Sequence, residues 1–481
     1  MLHRRCSTSL ALLALLACEG GGSDSPTGPQ STGVQVVAGE AITDTVLARP
    51  LQALVVEVRV GGQPRQGLVV RFESMPSADT TRRFEQAIAV AKISQNFFGN
   101  FASDTTNSAG RAGALVQLGT VAGEARVLVS CPELGLADTA KFTVQPGKAA
   151  RLIITVRDTT VLAGGSYDVG AQVGDLYGNK RADQVTLSAG PNAASTDAAG
   201  RVTVGSVIGR GAIAVSAGGV TDSARFTVLP AGTMALLHFV NNVGSIATAK
   251  MDGSALKRII PAATPAYPNI SPTGDLIAYQ QPESGGFVIY VVDAAGNKRQ
   301  LVGTNLVQSQ QFAHFSGDGQ FIFFTGYVPG EAYSVWRARA DGTGLTKIVT
   351  TTSPSYYGQP HLGVAADGSR IAYSEYSGIT ILNLANGAKT PVSGSATFLE
   401  FSPDSKQLAY LSDAIVVVNV DGTSPKSVAA GFVSSDPGLA WLPGSSWLFV
   451  RGYSGPLIAN ASTTEVYPVP LTDFYQMSVR P

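Results

Sequence analysis

The side chains able to do chemistry are few, and their spacing is regular. Four histidines and three cysteines occur in 481 residues. Asn269, His314, Glu400 and Ser478 each stand two residues before a Ser-Pro turn or its equivalent, with Gly363 and Ala440 at the same place elsewhere. Two residues further back come Tyr267, Phe312, His361, Phe398, Gly438 and Gln476. The intervening positions are mostly apolar, including Ile270, Phe315, Phe401 and Trp441. Alternate residues of a strand share a face, so one face packs and the other lines whatever space the strands surround. Asn269, His314, His361, Glu400 and Ser478 are then the polar candidates for a channel lining. Such a ring could hold one peptide side chain or a cation, or stay a solvated wall; His314 and Glu400 lie two repeats apart. No catalytic residue, metal or cofactor is assigned. The chain has no Gly-x-Ser-x-Gly elbow, His-Glu-x-x-His pair, paired-cysteine site or phosphate loop.

The cysteines point to export. His3, Arg4 and Arg5 precede an apolar run, Leu10 to Ala17, that is too short to span a bilayer. Leu15-Leu16-Ala17-Cys18 resembles the lipobox of bacterial lipoproteins. The resemblance implies removal of residues 1–17 as a signal peptide and acylation of Cys18. Residues 19–33 are rich in Gly, Ser and Pro, so residues 18–33 form a lipidated cysteine and flexible tether. Glu19 rather than Asp after the cysteine points away from inner-membrane retention, by analogy with lipoprotein sorting. A lipid-anchored position in the cell envelope, at the outer membrane, is expected. With Cys6 removed and Cys18 acylated, Cys131 is left without a disulfide partner. It follows Val127-Leu128-Val129 and should be a buried structural thiol.

The elements that must position these residues read as all-β. Charged residues make up 14% of the chain, against roughly 25% in typical soluble domains. Strand-like alternation recurs between Gly, Asp and Asn punctuation. Lys and Arg number 34, as do Asp and Glu, so no net field attracts nucleic acid. Residues 34–230 contain a duplication. Thr106-Asn107-Ser108-Ala109-Gly110-Arg111 is echoed by Thr196-Asp197-Ala198-Ala199-Gly200-Arg201, and Lys141-Phe142-Thr143-Val144 by Arg225-Phe226-Thr227-Val228. With Gly174-Asp175-Leu176-Tyr177-Gly178-Asn179, these motifs resemble the immunoglobulin-like β-sandwich modules of invasin and intimin type, over 34–146 and 147–230. In that family the modules are stalks or adhesive units. The first copy departs from the pattern at Gly61-Gly62-Gln63-Pro64 and carries extra sequence around 74–104, a contact surface or a decorated loop, in which Arg82 to Gln95 could form a short helix.

From 233 onward a second repeat takes over. Ser271-Pro272-Thr273-Gly274-Asp275-Leu276-Ile277-Ala278-Tyr279 returns around Gly319, Gly368, Ser405 and Ser445, in steps of 45, 49, 37 and 40 residues. Each step suits one four-stranded blade. Asp252-Gly253, Asp341-Gly342, Asn386-Gly387 and Asp421-Gly422 mark tight hairpins, and their side chains are expected to serve turns rather than calcium. The last residues, Tyr475 to Pro481, repeat the start of a blade whose remainder lies at Met234 to Ile259. Residues 233–481 therefore read as a six-bladed β-propeller with a split sixth blade, and the repeat resembles the TolB-like propeller family. That resemblance implies recognition of protein or peptide at the ring faces and channel. The expected function is an envelope-anchored binding or scaffold lipoprotein whose partner is an envelope protein, peptide or glycan. The alternative is a hydrolase or lyase sited in the channel.

Overall fold

The structure, a computed structural model, describes residues 31–480 apart from 83–84, 96, 242, 261–265, 353–358, 393, 395, 430–437, 443, 445, 453–454, 464 and 470–473. The expected signal peptide, Cys18 and most of the tether lie outside the described residues. Among the described residues every regular element is a strand except one 3-10 turn, Pro132–Leu134. Among the described residues no helix is long and apolar enough to cross a membrane. The chain divides into two compact bodies. One joins the residues up to Lys148 with Gly174–Arg181; the other joins Ala149–Val173 with Ala182–Pro481.

The first body is two five-stranded sheets around one core. Alternation builds it: along Gly123–Cys131, residues Val127, Val129 and Cys131 turn inward to meet Val56, Phe72 and Phe142. Burial pushes the Cys131 thiol above its ordinary pKa, which suits packing and not nucleophilic attack. The short helix that Arg82 to Gln95 could form is absent among the described residues. Ile88–Lys92 is a strand, paired antiparallel from Ile88 opposite Leu118 to Lys92 opposite Ala114. Ile88, Ala89, Val90 and Ala91 are all buried, which a strand covered on both faces achieves and a one-stripe helix does not.

The two echoed turns close identically. Asn107 Oδ1 accepts the amides of Ala109 and Arg111 at 2.9 and 3.1 Å, and Asp197 Oδ1 those of Ala199 and Arg201 at 3.0 and 2.9 Å. A Cβ on Gly110 or Gly200 would lie 2.7 Å from the carbonyl oxygen of Val58 or Val169, and both glycines hold positive φ. Both positions exclude other residues for the same two reasons.

The Asp-x-x-Gly-Asn turn is the most fully satisfied polar feature of the first body. Asp175 Oδ1 accepts the amides of Tyr177 and Asn179, each at 2.9 Å. Its Oδ2 accepts the Gly147 amide at 2.8 Å and the Asn179 side chain at 2.7 Å. Asn179 also donates to Thr120 O at 2.8 Å and accepts the Ala122 amide at 2.9 Å and a guanidinium N–H of Arg82. Burial raises the Asp175 carboxyl, but these hydrogen bonds outweigh it and hold the group below its ordinary value.

In the second body, strands between Asp158 and Leu229 form two small sheets, one of four strands and one of three. Beyond them come six four-stranded sheets among the described residues. Their innermost strands are Ala266–Ile270, Gln308–Phe315, Leu362–Val364, Thr397–Phe401, Leu439–Trp441 and Phe474–Arg480. Each touches the next, and Phe474–Arg480 touches both Leu439–Trp441 and Ala266–Ile270, so the order closes on itself. This is a β-propeller. The seam is an antiparallel pairing of Thr233–Val240 with Phe474–Arg480, Thr233 opposite Arg480 and Leu236 opposite Met477. Met234, Leu236, Phe449, Ile458, Met477 and Val479 fill it with apolar volume.

The repeat motif has a local reason. Ser316 and Ser402 donate to Asp318 and Asp404 at 2.5 and 2.6 Å, while their Oγ atoms accept the amides of Phe321 and Gln407 at 3.0 and 2.9 Å. Ser and Asp thus close the turns that end the inner strands Gln308–Phe315 and Thr397–Phe401 and fix their register. The Asx-Gly hairpins behave likewise. Asp341 and Asp421 each accept a threonine amide at 2.9 Å and its hydroxyl at 2.6 Å.

Candidate functional site

The inner strands bring the predicted ring together. Asn269, His314, Glu400 and Ser478 line two cavities in common, one above and one below their own layer. His314 and Glu400, 86 residues apart in sequence, approach to 3.9 Å between Nδ1 and Oε1. Asn269 Nδ2 lies 3.4 Å from His314 Nδ1 and 3.4 Å from Ser478 Oγ.

These four residues divide into two kinds. Ser478 Oγ accepts the amide of Ile270 at 3.3 Å, and Asn269 Oδ1 that of Phe315 at 3.0 Å. Both therefore stitch one inner strand to the next, and they are buried to 6% and 5% exposure. His314 and Glu400 keep more of their side chains accessible, 16% and 26%. They are the members best placed to meet a ligand.

His361 belongs to a different layer. Its ring packs at a tilt against Phe312 at 4.1 Å between centroids and against Phe398 at 5.3 Å. Tyr267 meets Phe312 at 5.1 Å and Phe398 at 5.8 Å, so four rings close a collar. His361 Nδ1 accepts the Phe398 amide at 3.3 Å, which leaves the ring proton on Nε2. Burial lowers its pKa to about 4, so the imidazole stays neutral at physiological pH. It is a packing and stitching residue, one step along the channel from the polar ring.

The collar rests on an unusual backbone. Tyr267, Phe312 and Phe398 have φ of 52°, 51° and 54°. Each sits at a break in strand register: between Ala266 and Asn269, between Gln311 and His314, and between Thr397 and Glu400. A left-handed non-glycine residue costs about 1–3 kcal/mol and persists only where its surroundings enforce it. Buried Gln280 is part of that enforcement, accepting the Phe312 amide at 3.0 Å. The bulges were not foreseen from sequence, because nothing in an aromatic residue's type announces positive φ. The one available signal was position: all three aromatics stand two residues before a ring residue.

The cavities differ. Above the collar, around Tyr267, Phe312 and His361, the space is about 50 Å³. On the Ser-Pro side it opens to about 300 Å³, walled by Phe315, Phe401, Trp441 and Val364 and floored by Asn269, His314, Glu400 and Ser478. Trp441 Nε1 donates to the Glu400 carbonyl at 2.9 Å, fixing wall to floor. Among the described residues lining either cavity, Glu400 is the one carboxylate, and no Lys or Arg is present. No group of three or more His, Cys, Asp and Glu side chains able to hold a metal occurs among the described residues. The site offers hydrogen-bond acceptors, one carboxylate beside an imidazole, and an aromatic wall.

No protein-family model matches the chain, and no curated protein does. Solved structures are similar at low identity. TolB from Acinetobacter baumannii is 12% identical, over 62% of this chain and 83% of its own, with a TM-score of 0.41. A putative TolB from Agrobacterium tumefaciens is 14% identical over 51% and 91%, at 0.39. An oligogalacturonate lyase in complex with manganese is 14% identical over 50% and 72%, at 0.33. Likeness at this level carries no argument about what the chain does.

Proposed function

We propose that this protein is an envelope-anchored binding lipoprotein. In this reading Cys18 carries the lipid and residues 19–33 form the tether. The modules at 34–146 and 147–230 are immunoglobulin-like spacers, and a six-bladed propeller at 233–481 is the recognition head for a protein or peptide. The observation that carries the reading is the chamber of about 300 Å³, apolar in its walls and polar in its floor. Ligand sites combine these features, because apolar walls supply affinity while a few polar groups fix orientation. The test is crosslinking capture of envelope partners by the full chain and by Val364→Trp, which fills the chamber from its wall. The reading expects a specific partner that the filled variant loses. Equal recovery by both proteins would move recognition away from the chamber. Anchoring is separable: Cys18→Ser should release the protein from membranes, and continued retention would remove the lipid anchor from the account.

A second reading has its own observation, the 3.9 Å approach of His314 Nδ1 to Glu400 Oε1. A carboxylate beside an imidazole can orient a general base, so a channel-sited hydrolase or lyase is the alternative. Its test is simultaneous replacement of His314 and Glu400 by Ala, which should abolish any turnover found.

A further inference from the structure

A further cavity of about 360 Å³ lies between two neighbouring blades and shares no lining residue with the channel. Its size is that of a small-ligand pocket. Ile379, Pro391 and Val392 line it from one blade, and Tyr410 and Val418 from the next. Tyr410 packs in the apolar core between these blades and is only 4% exposed. Among the described residues its hydroxyl has no hydrogen-bond partner, and burial alone pushes its pKa up. Tyr279 stands at the same place in the first repeat, and its hydroxyl is sealed from solvent. There Tyr290 lies opposite, its ring stacked at 5.9 Å. Tyr410 has Val416 opposite instead, so no second ring covers it. Its hydroxyl is not among the sealed atoms, and the open space beside it is this cavity.

The lining selects among guests. No Lys, Arg, Asp or Glu lines the cavity among the described residues, so a charged guest finds no counter-charge. A wholly apolar guest would bury the Tyr410 hydroxyl unpaired, at a cost in free energy. A peptide adding to the sheet edge would have to pair with Lys389–Val392, the outermost strand of its blade. Pro391, inside that strand, has no N–H to give. Its carbonyl turns toward the next blade, where a Cβ on Gly422 would lie 3.3 Å from the oxygen. The cavity thus offers a phenol from one blade and a carbonyl from the other, with the Ser377 hydroxyl at its exposed mouth and valine and proline between. Hydroxyl groups both donate and accept, and a ring that carries several of them meets partners on both sides at once. We infer that this cavity binds one uncharged sugar residue, its hydroxyls paired with Tyr410 and the Pro391 carbonyl and its C–H faces against Val392 and Val418. The site is independent of the channel chamber.

The experiment is calorimetric titration of the full chain with the methyl glycosides of glucose, galactose, mannose, rhamnose and N-acetylglucosamine, and with the neutral peptide acetyl-Gly-Thr-Val-Thr-Gly-amide. At least one glycoside should saturate. Tyr410→Phe should weaken that binding about three- to ten-fold, the scale of one neutral hydrogen bond. Its unfolding temperature should equal or exceed that of wild type, because the hydroxyl it removes has no partner in the protein. Ser377→Trp, at the exposed mouth, should abolish binding without touching the core, and so carries the test if Tyr410→Phe folds poorly. Three results would overturn the inference: no saturation by any glycoside up to about 50 mM, the scale of negligible affinity; a glycoside bound by both variants as tightly as by wild type; or a Tyr410-dependent affinity for the peptide and not for the sugars. The channel chamber has its own test in Val364→Trp, so either site can fail while the other stands.

Discussion

Two buried polar clusters in this molecule have opposite characters. At the Asp175–Asn179 turn, four donors converge on one carboxylate at 2.7–2.9 Å, and the Asn179 amide is used on both sides. In the channel, the contacts among Asn269, His314, Ser478 and Glu400 run from 3.4 to 3.9 Å, and the group faces open volume. Short, saturated bonds hold a turn in one place. Longer contacts among side chains beside a cavity form a polar lining that faces open volume. A cluster's bond lengths and neighbours, more than its residue types, separate a structural site from a receptive one.

The comparison breaks first at the seam. Deleting residues 475–481 removes Ser478 and the strand paired with Thr233–Val240, so the propeller should lose its cooperative thermal transition altogether. The Asp175 cluster lies in the other body, and a residual calorimetric transition from that body should remain. Complete survival of the propeller transition would show that the last strand is dispensable.

Asn179→Ala comes next. It leaves Asp175, Thr120 and Ala122 each short of a buried partner, and should cost about 3 kcal/mol in denaturant unfolding of the first body. A loss under about 0.5 kcal/mol, the scale of an inert surface change, would mean the turn is not held as described.

Acid separates the bodies in a third way. The Asp175 carboxyl is held below its unfolded value of 3.8, so its contribution is complete above that pH and lost only as pH falls further. His361 is pushed from 6.5 to about 4. The unfolded chain therefore takes up its proton first, and propeller stability should decline as pH falls from 6.5 toward 4. The whole decline is roughly 3 kcal/mol. His361→Gln should flatten it, and an unchanged pH profile in that variant would place the titrating group elsewhere.

Ser478→Ala should be milder, at about 1 kcal/mol for one 3.3 Å stitching bond to the Ile270 amide. Chemical denaturation measures it.

The sequence made some of this legible and hid the rest for physical reasons. The ring was readable because the Ser-Pro turn anchors register: once Ser316 and Ser402 close their turns, the residue two before each must share a face. The seam was readable because Pro481 stands where Pro272 and Pro403 stand in complete repeats. The collar was not, since Tyr267, Phe312 and Phe398 enter it through left-handed backbone that propensity argues against. Ile88 to Ala91 misled because a short apolar run fits a helix as well as a doubly covered strand. Asn179 gave no hint of Thr120, 59 residues away, because tertiary partners leave no local period.

The central claim is that the chamber of about 300 Å³ is the recognition site. Its most direct test is Val364→Trp, which fills the chamber from its wall, read for unfolding temperature and for crosslinked envelope partners on the same sample. A specific partner recovered with wild type should be lost from the variant while its cooperative unfolding transition is kept. Recovery of the same partner in equal amount by the folded variant would contradict it.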